Sequence, residues 1–499
     1  MINLDAALSI ASGGLANVNR HMAIVSQNVA NAGTPGYAAE IGTQWSLTAD
    51  GAGLGVHTGP AIRNLDTSLQ AELFSQNATV AGLQTQQTAL QSIDAVMGTP
   101  GQGGDIASLL GQLQDQFSTL LNNPDSAPQQ SQVVAAAATL AQGINGLSDA
   151  YTAQRQAAED SIGSELATLN TTLATIGGLS DKIVALKAAG QSTADLENQR
   201  DAALADLSQL VGVKAMEQPN GDLLIATTAG LVLPIHGMAN PFAMDGASVQ
   251  PGTYYPAGGI KPITLAGNDV TGQLRGGRIG ANIALRDTTL PTAQAELDEF
   301  AQNLASRFDA QGLSLFTDPA GNVPAPAASP LPVQSNYVGF AATIQVNPLV
   351  LATPSLVRDG TVPLPVPSPS GGYTGIIQQV LTYTFGPQQA SGVAQPASNT
   401  SGLGPTGSLN APYTAPPTLA GIAATLLAAQ AQGSATVSTQ TDTEQAVQTT
   451  LAGKLSSESG VNIDAEMSQM IVLQNAYGAN ARVISTIQTM WTQLLQAVS

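Results

Sequence analysis

The chain has 499 residues, which is enough for about three or four domains with a sizeable core, yet only 10% of its residues are charged. Its net charge of −19, with 15 Lys and Arg residues spread over the whole length, argues against nucleic acid as a partner, because phosphate binding needs a basic patch. Cysteine is absent, which excludes a disulfide framework and a thiol site.

The first predicted helix covers residues 4–32 and carries one narrow apolar seam. Its apolar residues recur at alternating spacings of four and three, which is typical of a helix that packs on a single partner helix. The helix ends sharply at residues 33–37, where Pro35 and Gly36 suit the centre of a type II turn. The seam consists of Leu4, Leu8, Ala11, Leu15, Val18, Met22, Val25 and Val29.

Residues 38–60 are expected to be extended or irregular, and long helices follow. Apolar periodicity and Gly or Pro breaks predict helices at residues 62–97, 105–121, 127–187 and 192–210. The third is long enough that we expect it to bend at Gly143, Gly163 or Gly177-Gly178. These segments predict a bundle of long antiparallel helices.

From residue 211 the pattern changes to short alternating runs. Residues 213–217 and 223–226 flank Asn220-Gly221, which predicts a β-hairpin, and further strands are expected to about residue 283. A helix is predicted at residues 290–311. Residues 331–417 are rich in Pro, Gly, Ser and Thr, with β-prone runs at 344–346 and 380–385, so we expect an exposed, loosely built β-rich insertion.

Helix returns at residues 419–457 and again at 463–498, where a second seam repeats in heptads. We expect the two terminal seams to pair within the chain, with uncharged polar outer faces, and to order only when packed against further subunits. The second seam consists of Ile463, Met470, Leu473, Tyr477, Ile484, Ile487, Trp491, Leu494 and Val498, with Glu466 and Asn480 at the remaining positions.

The sequence therefore predicts a multidomain, mainly α chain with β insertions, whose N- and C-terminal helices pair as a coiled coil beside a long-helix bundle and outer β-rich domains. The chain runs outward through nested domains and then returns, so each inner domain is built from both an N-terminal and a C-terminal segment. The predicted domains are a terminal coiled-coil domain of residues 1–60 and 458–499, a helical bundle of 61–212, 288–330 and 418–457, a β-rich domain of 213–287, and a variable insertion of 331–417.

No segment predicts a catalytic, cofactor-binding or metal site. His21, His57 and His236 lie far apart in sequence and have no neighbours at metal-ligand spacing. Residues 276–280 are glycine-rich but lack the context of a nucleotide-binding loop, and we interpret them as a turn. Acidic residues at 195, 197 and 201 are interpreted as a solvated or ion-paired helix face with Arg200.

We expect neither a cleaved signal peptide nor a membrane span. No cationic segment followed by an apolar one precedes the first helix. The longest candidate span, residues 419–431, is too short and too polar to cross a bilayer.

Four segments, residues 28–37, 196–213, 276–291 and 461–484, resemble the bacterial flagellar axial proteins, the family of rod, hook and hook-associated proteins. The resemblance covers roughly residues 1–310 and 419–499 and thins out across 330–417. The residues that match the family motifs most clearly are Asn28, Asn31, Thr34, Pro35, Gly36, Tyr37, Gln199, Arg200 and Asp201.

The resemblance implies a structural role without catalysis, as a subunit of the junction between flagellar hook and filament. Subunits would form a helical ring or tube, contact the hook protein and the next junction protein (hook-associated protein 3), and bind an export chaperone through the C-terminal helix. It also implies an extracellular location reached by type III export. Two alternatives stay open: a hook or distal rod protein, and a surface glycan-binding protein or enzyme acting through residues 331–417.

Overall fold

The structure is a computed structural model that describes residues 4–49, 52–98, 101–362 and 372–498. Helices dominate it. They are α1 (Leu4–Asn31), α2 (Thr67–Met97), α3 (Ile106–Asn122), α4 (Ala127–Ala188), α5 (Ala194–Leu210), α6 (Gly277–Ala284), α7 (Leu290–Asp309), α8 (Phe340–Thr343), α9 (Pro348–Ala352), α10 (Leu356–Asp359), α11 (Gly375–Gln379), α12 (Leu419–Ser459) and α13 (Ile463–Val498).

The strands are short and pair in small antiparallel sheets. They are β1 (Glu40–Ile41), β2 (Gln44–Ala49), β3 (Ala52–Thr58), β4 (Ile62–Arg63), β5 (Val213–Glu217), β6 (Leu223–Thr227), β7 (Val232–Leu233), β8 (Phe242–Ala243), β9 (Thr264–Leu265), β10 (Asn268–Asp269), β11 (Phe316–Thr317), β12 (Gln345–Val346), β13 (Gln388–Ala390), β14 (Val393–Ala394), β15 (Ser401–Leu403) and β16 (Leu409–Asn410).

The two ends of the chain lie together, since α1 packs along α13. The hairpin β2–β3 also packs against α1, and its Trp45 and His57 rings stack with their centroids 4.7 Å apart. Strand β1 pairs with β4, which brings the chain back to the start of α2. The predicted pairing of the terminal helices is confirmed.

The long helices lie where apolar periodicity predicts them, most of them to within about two residues. Helix α4 has 62 residues and runs without interruption through all the glycines proposed as bend points, so none of them ends the helix, and bending there stays a prediction. Helix α2 packs against α12 along its length and against α5 and α6 on other sides. The predicted mainly α, multidomain class with β insertions is confirmed.

One core, the outer core, is built from α3, the first half of α4, α7 and the start of α12. Its centre is the Phe308 ring, which lies 5.8 Å from the rings of Phe117 and Phe385 and 5.4 Å from that of Phe316. Because these aromatic side chains come from four separate segments, this core closes only when the whole region has folded.

The expectation of an exposed β-rich insertion at residues 331–417 was wrong for the part that the structure describes. This part contains α8 to α11 as well as short strands, and it buries Phe340, Val357 and Ile377 in the outer core. Residues 380–385 were predicted as β-prone, but Val380–Thr384 form a π-helical turn after α11. Ile376, Ile377 and Val380 follow a helical spacing, which outweighs their β propensity.

A second core joins the second half of α4, α5, α6 and the sheet β5–β6–β7. The predicted hairpin is confirmed, and Gly221 in its turn has a positive φ of 93°. The glycine-rich segment interpreted as a turn is only partly a turn. Gly276 and Gly277 have positive φ, but α6 begins at Gly277.

Candidate assembly surface at the paired termini

The register between α1 and α13 follows from two contacts. Asn28 Nδ2 donates to Glu466 Oε1 at 2.8 Å, and a Cβ placed on Gly14 would lie 3.1 Å from Asn480 Oδ1. These contacts lie fourteen residues apart on each helix, in opposite directions, so the helices are antiparallel. In this register Met490 lies level with Leu4, and the end of α13 extends past the described end of α1.

The seam residues predicted on α1 mostly point into this pairing. Ala11, Val18 and Val25 are buried, while Leu8 is 36% exposed. The remaining members are half-buried, namely Leu4, Leu15, Met22 and Val29.

On α13 the pairing covers seam residues from Glu466 to Ile487. Ile487 is buried, and Glu466, Met470, Leu473, Asn480 and Ile484 are half-buried. Ile463, Tyr477, Trp491 and Leu494 are 40–51% exposed, and the side chain of Val498 lies outside the described residues. Ile463, Trp491 and Leu494 are exposed because the register places them at or beyond the ends of α1. The part that the seam plays in assembly stays a prediction.

The outward face of α13 is more apolar than expected. The residues 47–66% exposed on this helix outside the predicted seam are Met467, Ile471, Val472, Val483, Met490 and Leu495. The expectation of a polar outer face was therefore wrong for α13. The heptad pattern describes only one stripe of the helix and says nothing about the residues between its positions. A row of exposed apolar residues of this length is typical of a surface that binds protein.

Asn28 links the N-terminal helix to two other segments. Its side chain is almost fully buried, and its Nδ2 donates to Glu40 O at 2.9 Å as well as to Glu466. Its Oδ1 accepts from Glu40 N at 2.9 Å and from the Tyr37 hydroxyl at 3.1 Å. One amide therefore fixes α1, β1, the turn at residues 33–37 (the motif turn) and the start of α13 relative to one another.

The turn after α1 is built by the other residues of the first family motif. Asn31 O accepts from Thr34 N at 2.9 Å, and Thr34 O accepts from Tyr37 N at 3.2 Å. Gly36 has φ of 77°, a left-handed value that favours glycine. Thr34, Pro35 and Gly36 are exposed, so this turn presents its surface to solvent.

The second motif, on α5, holds the base of the terminal region through Arg63 of β4. The Arg63 guanidinium donates to Glu197 Oε2 at 2.9 Å and to Asp201 Oδ2 at 2.5 Å. Asn198 Oδ1 accepts from Ala38 N at 3.2 Å, and Asn198 Nδ2 donates to Ala38 O at 3.1 Å. The interpretation of an ion-paired face is correct in kind, but the main cation is Arg63 rather than Arg200.

The remaining motif residues on α5 have local partners. Arg200 is buried and donates to Gly221 O at 2.7 Å, which ties α5 to the β5–β6 turn. Gln199 donates to Asp195 on its own helix at 3.0 Å.

Protonation at this joint follows from burial and neighbouring acids. Burial first, and then the Asp195 carboxylate, raise the pKa of Glu40 above its ordinary value. Burial, followed by Glu40, raises the pKa of Tyr37, so its phenol stays protonated and able to donate to Asn28. Burial acts to lower the pKa of Arg63, but Asp201 and Glu197 outweigh it and hold that pKa above the ordinary value.

The three histidines lie in separate places. His21 lies against Gly42, His57 stacks on Trp45, and His236 lies 3.1 Å from Asp222 and 3.4 Å from Asp181. Within the described ranges, no group of three or more acidic or histidine side chains is arranged to hold a metal ion. Nor does any helix in this part of the chain have the length and apolar character to cross a membrane.

Sequence reasoning missed Glu40, Arg63 and Asn198, which complete the joint between the termini and the bundle. Arg63 carried a signal, because it is one of only 15 basic residues in a strongly acidic chain. Asn198 lies in the segment 196–213 that resembles the family, whereas Glu40 carried no signal, since its role depends on contacts that form only in the folded chain.

Two family models match the chain. Residues 90–321 match the model described as "Flagellar hook-associated protein FlgK helical domain". Residues 453–497, which contain most of α13, match "Flagellar basal body rod FlgEFG protein C-terminal".

Curated relatives named "Flagellar hook-associated protein 1" occur in several bacteria. The relative from Salmonella typhimurium is 25% identical over 62% of this chain, and the match spans 56% of that relative's length. The Escherichia coli relative is 22% identical over 98% of this chain and 97% of its own length, and the Bacillus subtilis relative 23% over 45% and 46%.

Among solved structures, the flagellar hook junction protein FlgK from Burkholderia pseudomallei is 25% identical, with a TM-score of 0.40, over 52% of this chain and 47% of that one. The first family model includes the motif segment at residues 196–213, and the second includes the motif segment at 461–484. By these matches the chain is similar to the flagellar axial proteins, and the curated relatives that it matches are named flagellar hook-associated protein 1.

Proposed function

We propose that the chain is a structural subunit of the bacterial flagellum, which forms the junction between hook and filament by helical self-assembly. The observation that carries this proposal is the α1–α13 pair, whose outward face on α13 leaves a row of large apolar side chains uncovered. Subunits that meet through different surfaces build helical arrays when their rotation does not close. The names of the curated relatives support the same role.

We assign the paired termini, residues 1–60 and 458–499, to the inner layer of this assembly. The predicted seam would hold the pair together, and the motif residues at 28–37 and 199–201 would set its angle to the helical bundle. The bundle of residues 61–212, 288–330 and 418–457, the β-rich region 213–287 and the insertion 331–417 would lie outside it. The apolar row on α13 would become buried against neighbouring subunits.

The partners follow from the same role. They are the hook protein on one side, hook-associated protein 3 on the other, and a cytoplasmic export chaperone on the C-terminal helix. An exposed apolar helix such as α13 is a surface that a chaperone would cover before export. We propose an extracellular location reached without a cleaved signal peptide, and a role without cofactor, catalysis, nucleic acid or membrane insertion.

Deletion of the gene tests the proposal. We expect cells that make normal hooks but attach no filament, as seen by negative-stain electron microscopy, and we expect the intact gene in trans to restore attachment. Hooks that carry normal filaments in the deletion strain would contradict the proposed role.

The alternative of a hook or distal rod protein is favoured by one observation, the match of residues 453–497 to a rod-protein model. The same micrographs separate the two, because deletion of a hook or rod protein removes the hook itself. Glycan binding or catalysis by residues 331–417 is less favoured, since the large apolar residues Phe340, Val357 and Ile377 of this segment are packed into the outer core.

A further inference from the structure

The chain contains two Asn-Gly dipeptides, and the structure places them in different surroundings. Asn145-Gly146 lies inside α4, whereas Asn220-Gly221 lies in the turn between β5 and β6. In such a dipeptide the following backbone nitrogen can attack the carbonyl of the asparagine side chain, and glycine hinders this attack least because it has no Cβ. Whether the attack occurs depends on how the fold holds the two groups.

The turn at Asn220 brings the reacting groups together in contact with water. Asn220 is exposed, and its Oδ1 accepts from Asp222 N at 3.0 Å. This hydrogen bond closes a ring around Gly221, so the carboxamide lies beside the nitrogen that would attack it. A backbone N–H on the carbonyl oxygen also stabilises the negative charge that develops there during attack.

Gly221 N is engaged in the turn and becomes free when the turn opens. It donates to Gln218 O at 2.9 Å. Residues 218–220 are exposed, and the Lys187 side chain that lies against Gly221 is itself 43% exposed. Opening the turn therefore moves groups at the surface, which costs less free energy than opening a core element.

Asn145 is held against the same reaction. Its Nδ2, the nitrogen that would leave, donates to Ala341 O at 2.8 Å and to Ile344 O at 3.2 Å. Both residues of this dipeptide are helical, so Gly146 N belongs to the hydrogen-bond ladder of α4. Asn145 therefore provides a control within the same molecule.

We propose that Asn220 is a site of spontaneous chemical modification, with water as the only co-reactant. Gly221 N loses its proton and bonds to Asn220 Cγ, and the side-chain nitrogen leaves as ammonia, which gives a succinimide ring. Water then opens the ring. Attack at Cγ leaves aspartate, whereas attack at the backbone carbonyl leaves isoaspartate, in which the main chain runs through the side chain and gains a methylene. This site is independent of the role proposed above.

Isoaspartate at this position would disturb α5 through Arg200. The Arg200 side chain is buried and donates to Gly221 O at 2.7 Å. An added methylene before Gly221 displaces this carbonyl, so a buried guanidinium loses its main-chain acceptor, which is destabilising. Since Leu207 of α5 and Ile225 of β6 both pack in the second core, we expect that core to become less stable as isoaspartate accumulates.

Peptide mapping by mass spectrometry tests the site. The purified full-length chain is kept at physiological temperature and sampled over time. In the folded chain Asn220 should convert several-fold faster than Asn145, and faster as the pH rises because Gly221 N must lose its proton. In the chain unfolded by denaturant the two should convert at similar rates. Conversion of Asn220 no faster than that of Asn145 in the folded chain would overturn the proposal.

Asn220→Gln is the matched variant for the effect on the second core, because its longer side chain closes a larger ring much more slowly. Enzymatic methylation of isoaspartate should label the aged natural chain several-fold more than the aged variant. The aged natural chain should also unfold at lower denaturant concentration than a fresh sample, while aged and fresh N220Q should unfold alike. Equal loss of stability on ageing in both chains would show that the link through Arg200 is wrong.

Discussion

Asn28 shows how one buried amide can organise a joint between distant segments. Its Nδ2 and Oδ1 take part in four hydrogen bonds, to Glu40, Tyr37 and Glu466, and the side chain is almost fully buried. A buried amide left without partners costs about 1–3 kcal/mol, so residues in this position act through the groups that they would leave unpaired.

Asn28→Ala should lower the free energy of opening of the α1–α13 pair by about 2–3 kcal/mol, because Glu40 and Glu466 lose a shared donor. Hydrogen exchange of α13 amides measures this opening. Asn19, exposed on the same helix, is the matched control, and Asn19→Ala should change the value by less than about 0.5 kcal/mol. Equal exchange rates in the two variants would rule out this role for Asn28.

Asp298 is a buried carboxylate in the outer core with an unusual protonation. It accepts from Gly339 N at 2.7 Å, Ala341 N at 2.9 Å and Gln294 Nε2 at 3.0 Å. Burial nevertheless raises its pKa from 3.8 to about 7, and burial likewise raises the pKa of Glu296 to about 7. Both groups therefore bind protons more tightly in the folded chain than in the unfolded one.

The outer core should be more stable at pH 5 than at pH 8. A folded pKa above the unfolded value contributes stability that is complete below about pH 4 and is lost as the pH rises through about 7, on the order of 4 kcal/mol for Asp298 alone. Denaturant unfolding across this range, followed by a probe in the outer core, measures the slope. Asp298→Asn should flatten it, and an unchanged slope in that variant would contradict the assignment.

Helix α4 shows why two adjacent glycines have different roles. Gly177 is buried where α4 contacts the backbone of Ile235. A Cβ at this position would lie 1.8 Å from Ile235 O. Gly178 is exposed, and a Cβ there meets nothing within 4 Å. Close approach of the backbone requires glycine at the first position and leaves the second free.

Gly178→Ala should stabilise the second core by about 0.5–1 kcal/mol through helix propensity, whereas Gly177→Ala should destabilise it by more than about 2 kcal/mol, since the clash is with backbone. Chemical denaturation of both variants measures the difference. Equal effects would mean that α4 does not approach Ile235 this closely.

The two faces of α13 should respond differently to the same substitution. Ile487 is buried in the pairing, and an unpaired charge there costs several kcal/mol, so Ile487→Asp should release α13 from α1 in the isolated monomer. Val472 is 65% exposed, so Val472→Asp should leave the monomer intact but abolish filament attachment. Hydrogen exchange and electron microscopy give the two readouts. Normal attachment with Val472→Asp would show that this face is not buried in the assembly.

The sequence predicts most of the helices and strands but less of the joint between the termini and the helical bundle. Long helices such as α4 and α13 can be predicted because their apolar periodicity continues over many turns, and Asn220-Gly221 predicts the β5–β6 hairpin. The π-helical turn at Val380–Thr384 was missed because residues 380–385 were considered apart from Ile376 and Ile377, with which Val380 continues a helical spacing. Arg63 and Asn198 were missed because their partners are distant in sequence.

The molecule has two apolar cores and a largely polar interface between α2 and α12. The outer and second cores are apolar, but α2 and α12 meet through hydrogen bonds such as Gln87 Nε2 to Ser438 Oγ at 3.1 Å and Gln448 Nε2 to Asn77 Oδ1 at 2.8 Å. Partly buried polar pairs of this kind each add about 0.5–1.5 kcal/mol of net stability, so the interface between α2 and α12 depends less on apolar packing than the two cores do. Most of the large apolar side chains that are exposed in the described residues lie near the termini, at α13 and around the β2–β3 hairpin.

Assembly of such a chain should depend on salt. Each subunit carries a net charge of −19, while the proposed contacts are uncharged and apolar, so repulsion between subunits opposes assembly and salt screens it. Raising NaCl from about 10 mM to about 100 mM shortens the screening length from about 30 Å to about 10 Å and should increase the assembled fraction of the purified chain several-fold, as measured by light scattering. Val472→Asp, which places a charge on the exposed apolar surface of α13, should show no comparable rise. Assembly that weakens as salt increases would mean that ion pairs, rather than apolar surfaces, hold the subunits together.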